Sequence, residues 1–152
     1  MFLNIFIGLI MVAITVAIQA YGTTYWLRRL TDKLFKLPYD QFNRDTSSIL
    51  ITTSLFLLLL NCFQALLWSL MYFYVPIITE FGSLEEAIYF SFVTFTTLGY
   101  GDLTIQTNFR ILSGIEAING MLLIGWSTAL MYATVQAIWK RNWKNEQTKG
   151  SN

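Results

Sequence analysis

Three apolar stretches, each long enough to cross a lipid bilayer as a helix, constrain this chain more than any other feature. A helix needs about 20 residues to cross a hydrocarbon core of about 30 Å. The stretches run from about Phe2 to Leu27, Ser48 to Val75 and Ile111 to Trp139. Lipid offers a backbone no hydrogen-bond partners, so each stretch is read as an α-helix whose polar groups pair internally. Composition agrees: 55% of the 152 residues are hydrophobic and 12% are charged, where a soluble domain carries about 25% charged residues. The expected fold class is an all-α membrane protein with three transmembrane helices.

Charge sets the expected orientation. Arg28, Arg29, Lys33, Lys36 and Arg44 follow the first span, and Lys140, Arg141, Lys144 and Lys149 follow the third, whereas Arg110 is the one base between the second and third. The positive-inside bias places 28–47 and 140–152 in the cytoplasm, with the N-terminus and residues 76–110 outside. Tyr25, Trp26, Tyr72, Tyr74, Trp139 and Trp143 stand where interfacial anchors belong. A cleaved signal peptide is the rival reading of the first span, but a basic n-region is missing and the apolar run is long for one. The linker 28–47 has Leu30, Lys33, Leu34 and Leu37 at helical spacing before Pro38. It is either a short amphipathic helix on the inner membrane surface or a solvated connector. The tail from about Asn145 is expected to be disordered.

The residues also exclude functions. One cysteine, Cys62, and no histidine rule out a disulfide within the chain and leave a zinc or haem site almost no ligands. Cys62 reads as a small buried side chain. A net charge of +1, with no basic stripe interleaved with aromatics, gives no sign of a nucleic-acid partner. No nucleophile–base pair and no phosphate loop is found, so an enzyme is not expected, nor is a cofactor.

The less apolar stretch 76–110 carries the chemistry. It holds Pro76, Glu80, Glu85, Glu86 and Asp102. Ser83 with Glu86 three residues later has the pattern of a helix start, and acids suit the positive end of a helix dipole. Residues 84–96 then make a helix too short to span, ending in Thr96-Thr97-Leu98-Gly99-Tyr100-Gly101-Asp102. A half-length helix that enters and leaves on one side is a re-entrant loop. Non-helical backbone at that depth must be buried in protein or line a water-filled cavity. Gly99 and Gly101 permit left-handed dihedrals. Such an alternation lets successive carbonyls face one axis, and four chains around that axis would stack rings of oxygens able to replace the water shell of K⁺. The Thr97 hydroxyl would add the innermost ring, with Leu98 and Tyr100 pointing outward to hold the width.

The run 94–102, Thr-Phe-Thr-Thr-Leu-Gly-Tyr-Gly-Asp, resembles the selectivity filter of the potassium channel family. The resemblance covers about 48–139 and implies an outer helix 48–78, a pore helix 83–96, a filter 97–101 and an inner helix 109–139. The segment 1–27 is an extra N-terminal helix. It also implies a homotetramer in the lipid bilayer, with K⁺ as permeant ligand at Thr97, Leu98, Gly99 and Tyr100. Three positions depart from the usual pattern. Leu98 replaces a valine. Tyr89 and Phe90 stand where many relatives have two tryptophans, and Val93 stands where some have a glutamate that pairs with Asp102. Asp102, with Tyr89 and Thr96, is expected to support the filter, Tyr89 donating its hydroxyl; otherwise Asp102 is a solvated charge at the mouth that attracts cations.

Three residues in the third span are gating candidates. Glu116, an ionisable group at membrane depth, is expected to have a role. It either hydrogen-bonds Ser91, Thr94 or Asn119 structurally or takes part in gating, proton sensing or block. Gly120, one turn on, is either a hinge or a close-packing site, as is Gly125. Tyr132, with Met121, Ile124 and Thr128, forms a stripe that lines a cavity and inner gate or else faces lipid or another helix. The expected function is passive, selective K⁺ conduction. A weakly selective cation channel of the same architecture and a non-conducting subunit that modulates a partner stay open. No arginine repeat marks a voltage sensor, so the gating stimulus is left to the filter, inner helix, pH, lipid or an unidentified regulatory partner.

Overall fold

The computed structural model describes residues 2–36, 39–75, 81–105 and 109–149, with side chains described outside 33–36, 39–45, 142 and 144–149. Four helices follow one another: α1 (Phe2–Lys36), α2 (Tyr39–Tyr74), α3 (Leu84–Phe95) and α4 (Arg110–Lys149). No strand occurs among the described residues. Three of the helices contain segments long and apolar enough to cross a membrane, Phe2–Asp32, Thr46–Tyr74 and Arg110–Arg141.

The long helices run past the expected boundaries. At 35 residues, α1 is about 52 Å long, well beyond a hydrocarbon core. It ends just ahead of Leu37-Pro38, where a residue preceding proline disfavours the α conformation. Helix α2 begins at Tyr39 and meets no glycine or proline before Pro76. The stretch 28–47 is therefore mostly the ends of two helices rather than a separate linker. The side chains of Lys33, Leu34 and Leu37, on which an amphipathic face was expected, lie outside the described ones. Likewise α4 continues to Lys149, through the part of the tail expected to be disordered, because no breaker precedes Gly150. Pro76 and Glu80 lie outside the described residues.

Helix α3 starts where Ser83 predicts. The Ser83 hydroxyl accepts the Glu86 N–H at 3.2 Å, and the Glu86 carboxylate accepts the Gly82 N–H at 2.8 Å. Reciprocal capping of this kind satisfies two amide donors that the first turn leaves open. The short helix packs against α2 and α4, while α1 packs on α4 and α2 from the other side.

The main core gathers Ala65, Trp68 and Tyr72 of α2, Phe90 and Phe95 of α3, and Leu112 and Leu123 of α4, with Ile105 and Phe109 from the segment that leads into α4. Tyr72 is fully buried and meets Phe90 edge-on at 5.3 Å. It is a core residue, not an interfacial anchor, because α3 folds back over the end of α2; Tyr74, two residues on, is exposed. Trp26 also turns inward, stacking on Phe56 at 4.4 Å and donating to the Thr53 hydroxyl at 3.1 Å. Cys62 is half-buried.

Polar residues join the three long helices to one another. The Gln19 amide donates to the Ser127 hydroxyl at 3.0 Å, and its oxygen accepts from the Gln64 amide at 2.8 Å. Asn119 donates to the Thr15 hydroxyl at 2.8 Å, and Asn61 to Ser127 at 2.9 Å. Between helices in lipid, apolar surface gives no preference for association, so small residues and hydrogen bonds of this kind hold the pairs.

Candidate functional site

The segment after α3 is organised by hydrogen bonds running backwards. Thr96 caps the helix, with its N–H on the Phe92 carbonyl at 3.1 Å and its hydroxyl on the same oxygen at 2.7 Å. Thr97 N–H donates to the Thr94 carbonyl at 2.9 Å. Leu98 and Gly99 N–H both donate to the Val93 carbonyl, at 2.9 and 3.2 Å. The last turn of α3 thus takes up the amide donors of residues 96–99. The backbone then alternates: Thr97, Gly99 and Gly101 have φ of 60°, 52° and 81°. The two glycines adopt the left-handed region without a Cβ penalty, whereas Thr97 enters it with a β-branched side chain, an uncommon placement. Leu98 and Tyr100 are 55% and 67% exposed on the single subunit. A groove of about 490 Å³ lies beside this segment, lined by Tyr89, Val93, Asp102, Ser113 and Ala117 among others.

Asp102 is held from α3. The Tyr89 hydroxyl donates to Asp102 Oδ2 at 2.7 Å, and Asp102 Oδ1 accepts the Leu103 N–H at 3.0 Å. The Tyr89 bond is the main cause that lowers the Asp102 pKa below its ordinary value, and the same bond raises that of Tyr89. Phe90 takes no part. It is buried against Phe81 at 5.1 Å and Tyr72, in the main core.

Glu116 and Gly120 meet α3 one turn apart. Glu116 is fully buried, with Oε1 2.5 Å from the Ser91 hydroxyl. Asn119, another expected partner of Glu116, reaches Thr15 on α1 instead. Gly120 lies beneath the end of α3: a Cβ there would stand 2.0 Å from the Phe95 carbonyl oxygen. That is a close-packing glycine, and α3 cannot sit on α4 at this point with any larger residue. A Cβ at Gly125 meets nothing within 4 Å. Met121, Ile124, Thr128 and Tyr132 are all exposed on the subunit, and Gln136 donates to the Tyr132 hydroxyl at 2.8 Å. The opposite stripe of α4, Leu123, Ser127, Leu130, Thr134 and Ile138, is buried.

Sequence reasoning missed two backbone features and three side chains. Neither the double acceptor at Val93 nor the left-handed Thr97 has a sequence signal, since both depend on how the chain turns after α3. The joining residues Gln19, Asn61 and Gln64 do have one: amides at membrane depth need partners.

A short helix entering between two spans and returning through backbone turned by alternate left-handed residues defines a pore-loop membrane protein. The sequence model of a family described as "Ion channel" matches residues 49–137, more than half of the chain, and the chain belongs to that family. Its matched region takes in nearly all of the three-helix pore unit and leaves α1 outside. The chain is also 31% identical over 72 residues to the Potassium voltage-gated channel protein Shal of Drosophila melanogaster. That alignment covers 47% of this chain and 13% of the relative's length. The resemblance to potassium channels read from residues 94–102 is borne out by these matches. No solved structure matches the chain.

Proposed function

We propose that the chain is one subunit of a potassium-selective channel, a homotetramer of cyclic fourfold symmetry that conducts K⁺ passively. One observation carries this reading. The N–H groups of residues 97–99 are bound back to α3 while φ is left-handed at 97, 99 and 101. Backbone of that kind turns its carbonyls the other way, to one side. Four copies around an axis supply rings of oxygens from Thr97, Leu98, Gly99 and Tyr100, with the Thr97 hydroxyl below them. These replace the hydration shell of the ion. Gly101 releases the chain toward Asp102. The C-terminal end of α3 carries the negative end of its dipole and favours a cation nearby.

In this reading Tyr89 and Asp102 brace the filter. The exposed stripe Met121, Ile124, Thr128 and Tyr132 faces the conduction path below it, and Gly120 seats the pore helix on α4. The protein lies in the cell membrane with its N-terminus outside and its C-terminus in the cytoplasm. It has no catalytic role and takes no cofactor besides the permeant ion.

The test is the reversal potential of the purified chain in planar bilayers, with K⁺ on one side and Na⁺ on the other. A reversal close to the K⁺ equilibrium potential is expected, and replacing Tyr100 should move it toward zero. A wild-type reversal near zero identifies a weakly selective cation pore. A tetramer that passes no ion identifies a non-conducting subunit.

A further inference from the structure

Ser91 has one hydroxyl hydrogen and two close oxygens. Its Oγ lies 2.6 Å from the Ala65 carbonyl oxygen on α2 and 2.5 Å from Glu116 Oε1 on α4. Both separations are hydrogen-bond lengths for O–H···O. A carbonyl only accepts, and so does an ionised carboxylate. With Glu116 ionised, one hydrogen would have to serve two acceptors. With Glu116 protonated, both hydrogens of the pair have a place: the acid donates to Ser91 Oγ, and Ser91 donates to Ala65. The charge pattern points the same way. No Lys, Arg or His occurs between Arg44 and Arg110 or between Arg110 and Lys140. Arg110 is six residues before Glu116, about a third of a turn round the helix from it, and it is exposed. The second carboxyl oxygen, Oε2, is buried without a hydrogen-bond partner. A buried charge with neither countercharge nor full hydrogen bonding is far costlier than a neutral acid.

The titratable side chain that faces Glu116 is Tyr72 of α2, a potential donor to its carboxyl whose buried hydroxyl stands beyond hydrogen-bond length here; donating to Oε2 it would leave the Ser91 hydrogen still shared between Glu116 and Ala65. Helix α3 presents Ser91, which does not titrate. Helix α1 has no ionisable side chain before Tyr21, and α4 has none but Tyr132 between Glu116 and Lys140.

We propose that Glu116 is a proton-carrying latch: its acid hydrogen ties α4 through Ser91 to α2, and loss of that hydrogen releases the pore helix and stops conduction. The link to the ion path is short. Ser91 lies one turn before Phe95, whose carbonyl rests on Gly120, and two residues before Val93, whose carbonyl holds the amides of Leu98 and Gly99. When Glu116 ionises, the Ser91 hydrogen turns to the carboxylate and leaves Ala65. The unneutralised charge must then draw in water or move, and α3 and the backbone it holds move with it. Alkaline conditions therefore shut the pore.

The inference about conduction rests on the channel reading; the proton itself does not. Two measurements on the full chain in liposomes keep them apart. Infrared difference spectra of wild type minus Glu116→Gln at neutral pH should show the carbonyl stretch of a protonated carboxylic acid, lost on alkalinisation. Absence of that band at neutral pH overturns the proposal whether or not the chain conducts. K⁺ flux is then followed from about pH 5 to about pH 10, a range spanning free and buried carboxyls. Wild-type flux should fall about tenfold per pH unit beyond its midpoint, as for loss of one proton. Glu116→Gln should stay flat, because its amide N–H donates to Ser91 as the acid does. Ser91→Ala, which has no hydroxyl to relay, should conduct less than wild type at every pH below that midpoint. Identical pH profiles for wild type and Glu116→Gln overturn the latch. If no variant carries flux at any pH, the channel reading falls. The latch is then judged on thermal stability, which must drop on alkalinisation in wild type and not in Glu116→Gln.

Discussion

The bond between Tyr89 and Asp102 joins α3 to the chain just beyond residues 97–101. Its pH range follows from the two shifts. The Asp102 pKa is lowered, so its contribution is present above the ordinary value of 3.8 and is lost as pH falls through a still lower folded value. The Tyr89 pKa is raised, so its contribution is present below 10.0 and is lost as pH rises through a higher folded value. The brace is thus constant across neutral pH. Tyr89→Phe should speed the decay of K⁺ current during sustained conduction without changing its pH dependence between those limits; recordings of the variant against wild type check this. Gly120 makes the opposite kind of demand, for space. Gly120→Ala places a methyl into the Phe95 carbonyl and should destabilise the protein by about 1–3 kcal/mol or more, the usual range for overpacking. Gly125→Ala meets nothing in the subunit and should gain up to about 1 kcal/mol in helix propensity. Thermal unfolding of the two variants in detergent checks both expectations.

Among the helices, α1 is the one outside the family's matched region, yet it is fastened to that region by buried side chains. Gln19 sits at the centre, accepting from Gln64 on α2 and donating to Ser127 on α4. Hydrogen-bonded amides at membrane depth favour one docking arrangement, because undocking leaves more polar groups unpaired in hydrocarbon. Gln19→Leu should weaken the docking of α1 by about 0.6–1.7 kcal/mol, the range measured for such bonds between membrane helices. A double-mutant cycle of Gln19→Leu with Ser127→Ala should return a coupling of that size. Strict additivity would show that the contact contributes nothing. The approach of α1 at Gly8, where a Cβ would come within 2.7 Å of Ile115, gives a second point of close contact on α4.

For the whole molecule, the proposed filter of four chains would make the ion part of the assembly. Carbonyl rings facing one axis repel one another when empty, so K⁺ binding should stabilise the tetramer by mass action. The gain is about 2.7 kcal/mol when K⁺ is at about 100 times its dissociation constant. Replacing K⁺ by Na⁺ should therefore lower the temperature at which tetramers dissociate on a gel. Equal stability in the two ions would argue against ion binding at residues 97–101.

Hydrophobic length, the Ser83 and Glu86 signature, and the run 94–102 were enough to read three spans, a capped pore helix and a pore loop, because each depends on near neighbours in the chain. The Tyr89–Asp102 bond was also legible, since thirteen residues of helix and turn bring the two together. Other features needed the folded chain. The ends of the long helices overran the apolar stretches, because polar residues without a breaker continue a helix that the membrane no longer requires. Tyr72 read as an interfacial anchor until α3 covered it. Gly120 allowed two roles until the Phe95 carbonyl occupied the space where a Cβ would stand. The exchange among Glu116, Ser91 and Ala65 spans three helices and 52 residues of sequence. Local pattern records which side chains are polar at membrane depth, and only the packing of one helix on another decides which of them meet.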